Sequence, residues 1–131
     1  MIDNKDFIID QTIIDIELCN LAAMMMKYAT EEARLRLQVD TLEEQIKKHE
    51  ADIDSYIRTT KKEEKPTEAR IKGLIVTNER RQELVSELLD RQFEHNQMRW
   101  AVNALQAKRD CLVALAYRDR QLAKSDGWNK Y

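Results

Sequence analysis

The stretch IDIELCNLAAMMMKYATEEARLRLQVDTLEEQIKKHEADIDSY, residues 14–56, repeats one spacing almost without a break. Its ladder is Ile14, Leu18, Leu21, Met25, Tyr28, Glu32, Leu35, Val39, Leu42, Ile46, His49, Ile53 and Tyr56, in alternating steps of four and three. Only Glu32 and His49 are poor core residues. The alternation keeps one narrow stripe facing a partner helix, which is the heptad condition for a coiled-coil seam. A helix of about 45 residues is roughly 65 Å long at 1.5 Å per residue. A chain of 131 residues cannot wrap a globular core around such a rod, so its purpose lies in what the rod pairs with.

The ladder changes character at Glu32. Before it the apolar arc is broad: Leu21, Ala22, Ala23, Met24, Met25, Met26, Tyr28 and Ala29. A helix this apolar touches more than one neighbour, and the methionine run reads as oligomer core. After it the stripe is thin and flanked by Glu43, Glu44, Lys47, Lys48 and Glu50.

On the N-terminal side, residues 1–11 read as a lead-in. Asp10 or Thr12 caps the first helix, and Thr12 with Asp15 has the spacing of a capping box. The long helix is expected over 12–60. A break follows over 61–67, because Pro66 removes a backbone donor and disfavours a helical Lys65. A helical segment over 68–125 comes next, then a tail over 126–131 with Gly127 as its stop. This second segment carries two apolar seams. One is Met98, Val102, Leu105, Leu112 and Ala116, with Arg109 in the skipped step. The other is Leu89, Phe93, Trp100, Ala104, Cys111, Leu115 and Leu122. One seam serves the first helix and the other serves another subunit. Whether the first helix pairs with itself or with the C-terminal helix stays open. The fold class is all-α: a single helical domain, a hairpin of two long helices assembling into a homo-oligomer.

Composition agrees. The chain holds two glycines and one proline, and 35% of its residues are charged, which suits long helices and not a β-rich fold. The net charge of −2 is unevenly spread. Residues 1–26 carry a net −4 and residues 99–131 a net +4. An acidic start and a basic end attract one another between subunits, or the basic end meets a polyanion. Cys19 and Cys111 read as small buried hydrophobes of a reducing compartment. No run approaches the roughly 20 apolar residues of a membrane span, so a soluble cytoplasmic protein is expected. His49 reads as a polar core residue and His95 as solvated. No catalytic constellation, metal set or phosphate loop is visible, so neither an enzyme nor a cofactor is expected.

Lys5-Asp6-Phe7-Ile8-Ile9-Asp10-Gln11-Thr12, then Glu17, then Lys27-Tyr28, resembles the opening of the UvsY-like phage recombination mediators. Tyr56 near the end of the first helix, and Trp100 ahead of an arginine-containing end with Arg118 and Arg120, extend the likeness in outline. The resemblance implies a ring-like homo-oligomer that binds single-stranded DNA, helps displace the single-strand-binding protein and loads a RecA-type recombinase, in a host cytoplasm. The family places a Lys and an Arg just before its tyrosine. Here that place is the acidic run Glu50-Ala51-Asp52-Ile53-Asp54-Ser55-Tyr56. Lys47, Lys48, Arg58, Lys61, Lys62 and Lys65 are then the candidate DNA-binding residues, since phosphate contact needs charge along a track more than fixed geometry. Leu18, Leu21, Met25, Tyr28, Phe93, Trp100, Leu112 and Leu115 are the candidate oligomer interface. The competing expectation is a coiled-coil adaptor or assembly chaperone that binds no DNA.

Overall fold

The structure, a computed structural model, describes residues 1–60 and 65–129, with side chains placed as far as residue 125. It is all-helical among those residues. Helix α1 spans Ile14–Thr60, α2 Glu68–Val76 and α3 Glu79–Asn129, preceded by 3-10 turns at Asn4–Phe7 and Gln11–Ile13. The chain divides into two units, Met1–Glu32 with Asn96–Tyr131, and Ala33–His95. The division on α1 falls where Glu32 interrupts the apolar ladder.

The expected helix over 68–125 is two helices. Thr77 ends α2, its N–H reaching the Gly73 carbonyl at 3.1 Å. Asn78 then caps α3, its Oδ1 accepting from the Arg81 N–H at 3.0 Å. The same oxygen stands 3.0 Å from His49 Nε2 on α1. His49, expected as a polar core residue, is half-buried with Asn78 as its partner. Asn78→Ala removes both contacts and is expected to cost about 1 kcal/mol, the usual worth of an N-cap, read as a lower urea midpoint. Helix α3 passes through Gly127 to Asn129, beyond the expected stop. A lone glycine costs a helix only about 1 kcal/mol against alanine.

Pro66 stands outside α2, whose cap is Thr67, with Oγ1 accepting from the Arg70 N–H at 3.2 Å. Lys65 takes a φ of 44°, the left-handed region that few non-glycine residues enter. Proline closes the ordinary helical region to the residue before it, so a helical continuation is barred there.

Within the second unit, Leu42 and Ile46 of α1 pack on Leu84 of α3, with Val85 and Leu88 alongside. Arg81 reaches Glu50 at 3.0 Å on the same antiparallel pair. Ile57, not Tyr56, is the buried residue at the end of the ladder, while Tyr56 is exposed. The ladder takes a step of four from Ile53 at a place where the sequence offers an aromatic after three and an aliphatic after four. The α3 stripe runs through His95, which is half-buried and not fully solvated.

In the first unit the lead-in is an ordered strap. Asp10 caps the turn Gln11–Ile13 through the Thr12 N–H at 2.9 Å, and the Thr12 hydroxyl donates back to Asp10 at 2.6 Å. Asp10 is therefore the cap, and α1 proper begins two residues later than expected. These hydrogen bonds, side chain first and backbone second, hold the Asp10 carboxyl below its ordinary pKa.

Candidate functional site

The strap's anchor is Lys108, 5% exposed and the one buried charged residue among those described. Its ammonium donates to the Asp6 carbonyl oxygen at 2.7 Å and stands 3.4 Å from Glu17 Oε1. Glu17 Oε2 in turn accepts from the Asp10 N–H at 3.2 Å. Tyr28, fully buried, donates its hydroxyl to Asp6 at 2.6 Å and accepts from the Asp3 N–H at 3.1 Å. Its ring meets Phe7 at a centroid distance of 5.8 Å, with the Lys27 ammonium 5.6 Å from its centre. Burial first, then the hydrogen bond to the Asp6 carboxylate, raises the Tyr28 pKa. That contribution to stability is complete at neutral pH and is lost as pH rises through the alkaline range.

This network draws on the N-terminal stretch and the first turns of α1. Asp6, Phe7, Asp10, Thr12, Glu17 and Tyr28 all take part in ordering the strap or holding it on its helices. Lys108 was not singled out by its sequence context. The skipped step of the α3 seam is filled by Lys108, while Arg109 is exposed. The signal lay in the register: Leu105, Lys108 and Leu112 keep the three-four spacing as well as Leu105, Arg109 and Leu112 keep four-three.

The candidate DNA-binding residues belong to the second unit. Lys47 and Lys48 are exposed on α1, with Lys47 3.7 Å from Glu44. Arg58 lies between two carboxylates: Asp54 takes a hydrogen bond from its Nε and Glu68 a bidentate pair at 2.7 and 2.9 Å. The Asp54 bond, and after it the Glu68 pair, raises the guanidinium's already high pKa. Lys65 is exposed. Lys61 and Lys62 lie outside the described residues. An open groove of about 630 Å³ is lined by Lys47 and Arg58, but also by Glu50 and Asp54. Its two bases face two acids, so it has no net pull on an anion.

Helix α3 carries an unopposed set. Arg99, Arg109, Tyr117, Arg120 and Lys124 are all exposed, and none of these bases makes an ion pair with the described residues. At about 100° per residue they share one face of α3, together with Asp110. Trp100, Ala104, Ala107, Cys111 and Ala114 make a second exposed face, and Met98, Leu105, Lys108 and Leu112 the buried one. The three faces stand roughly 120° apart.

The candidate interface residues divide the same way. Leu21, Tyr28 and Leu112 are buried by their own chain, while Leu18, Met25 and Leu115 are half-buried. Phe93 and Trp100, 64% and 69% exposed, are open to a second molecule. Both cysteines are exposed, contrary to the expected burial, because each lies on a stripe its own chain leaves uncovered. Among the described residues no group of His, Cys, Asp and Glu could hold a metal ion. No described helix is long and apolar enough to cross a membrane. No known family, curated protein or solved structure matches the chain.

Proposed function

We propose that the chain is the subunit of a homo-oligomer that binds single-stranded DNA and helps load a RecA-type recombinase onto DNA covered by single-strand-binding protein. The observation that carries this reading is the three-faced α3: one face buried, one apolar and exposed, one basic and exposed. An apolar face serves self-association, and an unopposed row of bases with Tyr117 beside it suits a phosphate backbone and its bases. The resemblance over residues 5–28 supplies the recombination context. Oligomerisation multiplies a modest charge per chain by the number of subunits along one strand.

The rival reading, a coiled-coil adaptor that binds no DNA, draws on the acids that offset Lys47 and Arg58. Light scattering on the purified protein, with and without labelled oligo-dT in low-salt buffer, separates the two. The expected result is a discrete mass well above one chain that takes up oligo-dT and releases it steeply as salt rises. An assembly that takes up none leaves the adaptor. A monomer that takes up none removes both.

A further inference from the structure

Among the described residues, four aromatic side chains stand open to solvent: Tyr56, Phe93, Trp100 and Tyr117, at 67%, 64%, 69% and 63% exposure. On a helix, the residues three and four positions away are the neighbours that a side chain meets. Tyr56 has Asp52, Ile53, Thr59 and Thr60 there. Phe93 has Leu89, Asp90, Asn96 and Gln97, and Trp100 has Asn96, Gln97, Asn103 and Ala104. Tyr117 has Val113, Ala114, Arg120 and Gln121. Of the four, only Tyr117 has a cation in that position, and it has no acid there.

The local geometry of α3 sharpens the difference. At about 100° per residue, Arg109, Val113, Tyr117, Arg120 and Lys124 fall within an arc of about 80°. Helical side chains lean toward the N-terminus, so a long residue covers the turn before its own Cα. Arg120 therefore leans toward the turn of Tyr117, and Tyr117 toward that of Val113, which is itself 51% exposed. At 1.5 Å per residue, Arg120 stands about 4.5 Å along the axis from Tyr117. Asp110, the acid of this face, stands about 10 Å away on the other side.

Tyr28 shows how this chain uses a tyrosine that serves the fold. It is 1% exposed, and its hydroxyl bonds to Asp3 and Asp6. Tyr117 is neither covered nor held in that way. A ring left in water beside an unopposed cation suits a nucleotide: the cation takes the phosphate and the ring takes a base.

We infer that Tyr117 stacks on an unpaired base of the bound strand while Arg120 holds a phosphate next to it. This stacking rests on the DNA binding proposed above and names what α3 grips besides charge. It is indifferent to base identity, since every base has a π-face. It also needs the base free of its complement, so a duplex offers this face only phosphates.

The probes are oligo-dT and a strand of the same length made of abasic sites, which keeps every phosphate and carries no base. The wild type is expected to bind oligo-dT about tenfold more tightly than the abasic strand, the worth of one stacked base, with equal salt slopes. Tyr117→Leu keeps apolar bulk and helix propensity and removes the π-face. It is expected to weaken oligo-dT binding about tenfold and to leave abasic binding and the salt slope as they were. Tyr117→Gln, a polar helix former at the same exposed position, gives the same reading should leucine there cause aggregation. Tyr117→Phe is expected to keep the wild-type preference. A wild type that binds both strands equally overturns the stacking and leaves phosphate binding standing. So does a leucine or glutamine variant that keeps the full preference for oligo-dT. A wild type that binds neither strand overturns the stacking and the DNA binding together.

Discussion

Lys108→Ala is expected to lower the unfolding free energy by about 3 kcal/mol, the low end of the cost of removing one partner from a buried ion pair. Its side chain is 4% exposed and that of Glu17 16%. Alanine leaves the Asp6 carbonyl without its donor and Glu17 without its cation, though Glu17 keeps the Asp10 N–H. That remaining bond and the partial solvent access of Glu17 hold the cost at the low end. Urea unfolding at one fixed protein concentration measures the loss, since assembly would otherwise add its own stability. Hydrogen exchange is expected to show residues 3–13 losing protection in the variant while the middle of α1 keeps its own. Lys108→Met restores apolar volume and recovers part of the loss, but not the protection of the strap, because no thioether replaces the bond to Asp6. Arg109→Ala, one residue along and exposed, is the control, expected to change stability by no more than about 0.5 kcal/mol. Equal effects at the two positions would mean that the strap hangs on something other than the buried amine.

The pairing of positions along α1 was legible because apolar spacing is a direct record of which side chains share a face. Leu21, Tyr28, Leu35, Val39, Leu42 and Ile46 are all buried at the places their spacing indicates. Spacing does not say which of two comparable faces a chain covers by itself. Cys19 and Cys111 show this: each sits on an apolar stripe, and each stripe is the uncovered one. Nor does residue type settle a register when two readings differ by one position. Arginine and lysine both carry long aliphatic stems that pack like apolar residues. The choice between Arg109 and Lys108 was made by what lies opposite, the Asp6 carbonyl and Glu17, and that juxtaposition joins positions about a hundred apart in the chain. The α2–α3 break leaves little trace in the sequence for a different reason. Thr77 and Asn78 are neither glycine nor proline, and their punctuation works through side-chain oxygens, which read as ordinary surface polarity until the helix termini are known. The strap was hidden similarly, since short 3-10 turns leave no periodic trace in nine or ten residues.

The second large effect concerns DNA. Replacing Arg109, Arg120 and Lys124 together with glutamine is expected to weaken oligo-dT binding about 100-fold at 0.1 M salt. Each phosphate contact on a single strand contributes about 0.7 to the slope of log affinity against log salt, so three contribute about 2. Over the decade between 1 M, where such contacts are screened out, and 0.1 M, that slope amounts to the stated factor. The salt slope itself is therefore the sharper reading: it should fall by about 2, with helicity and assembly mass unchanged, because all three side chains lie on exposed surface away from the Trp100 stripe. Reversing Lys47 and Lys48 to glutamate is the matched comparison. Lys47 lies near acids already, with Glu44 beside it and Glu50 and Asp54 along the same groove, and neither lysine is on α3, so a strand tracking α3 loses little when they change sign. The opposite pattern, binding lost with the α1 pair and kept with the α3 set, would put the strand along the acidic-flanked end of α1 and take the bases of α3 out of the contact with DNA.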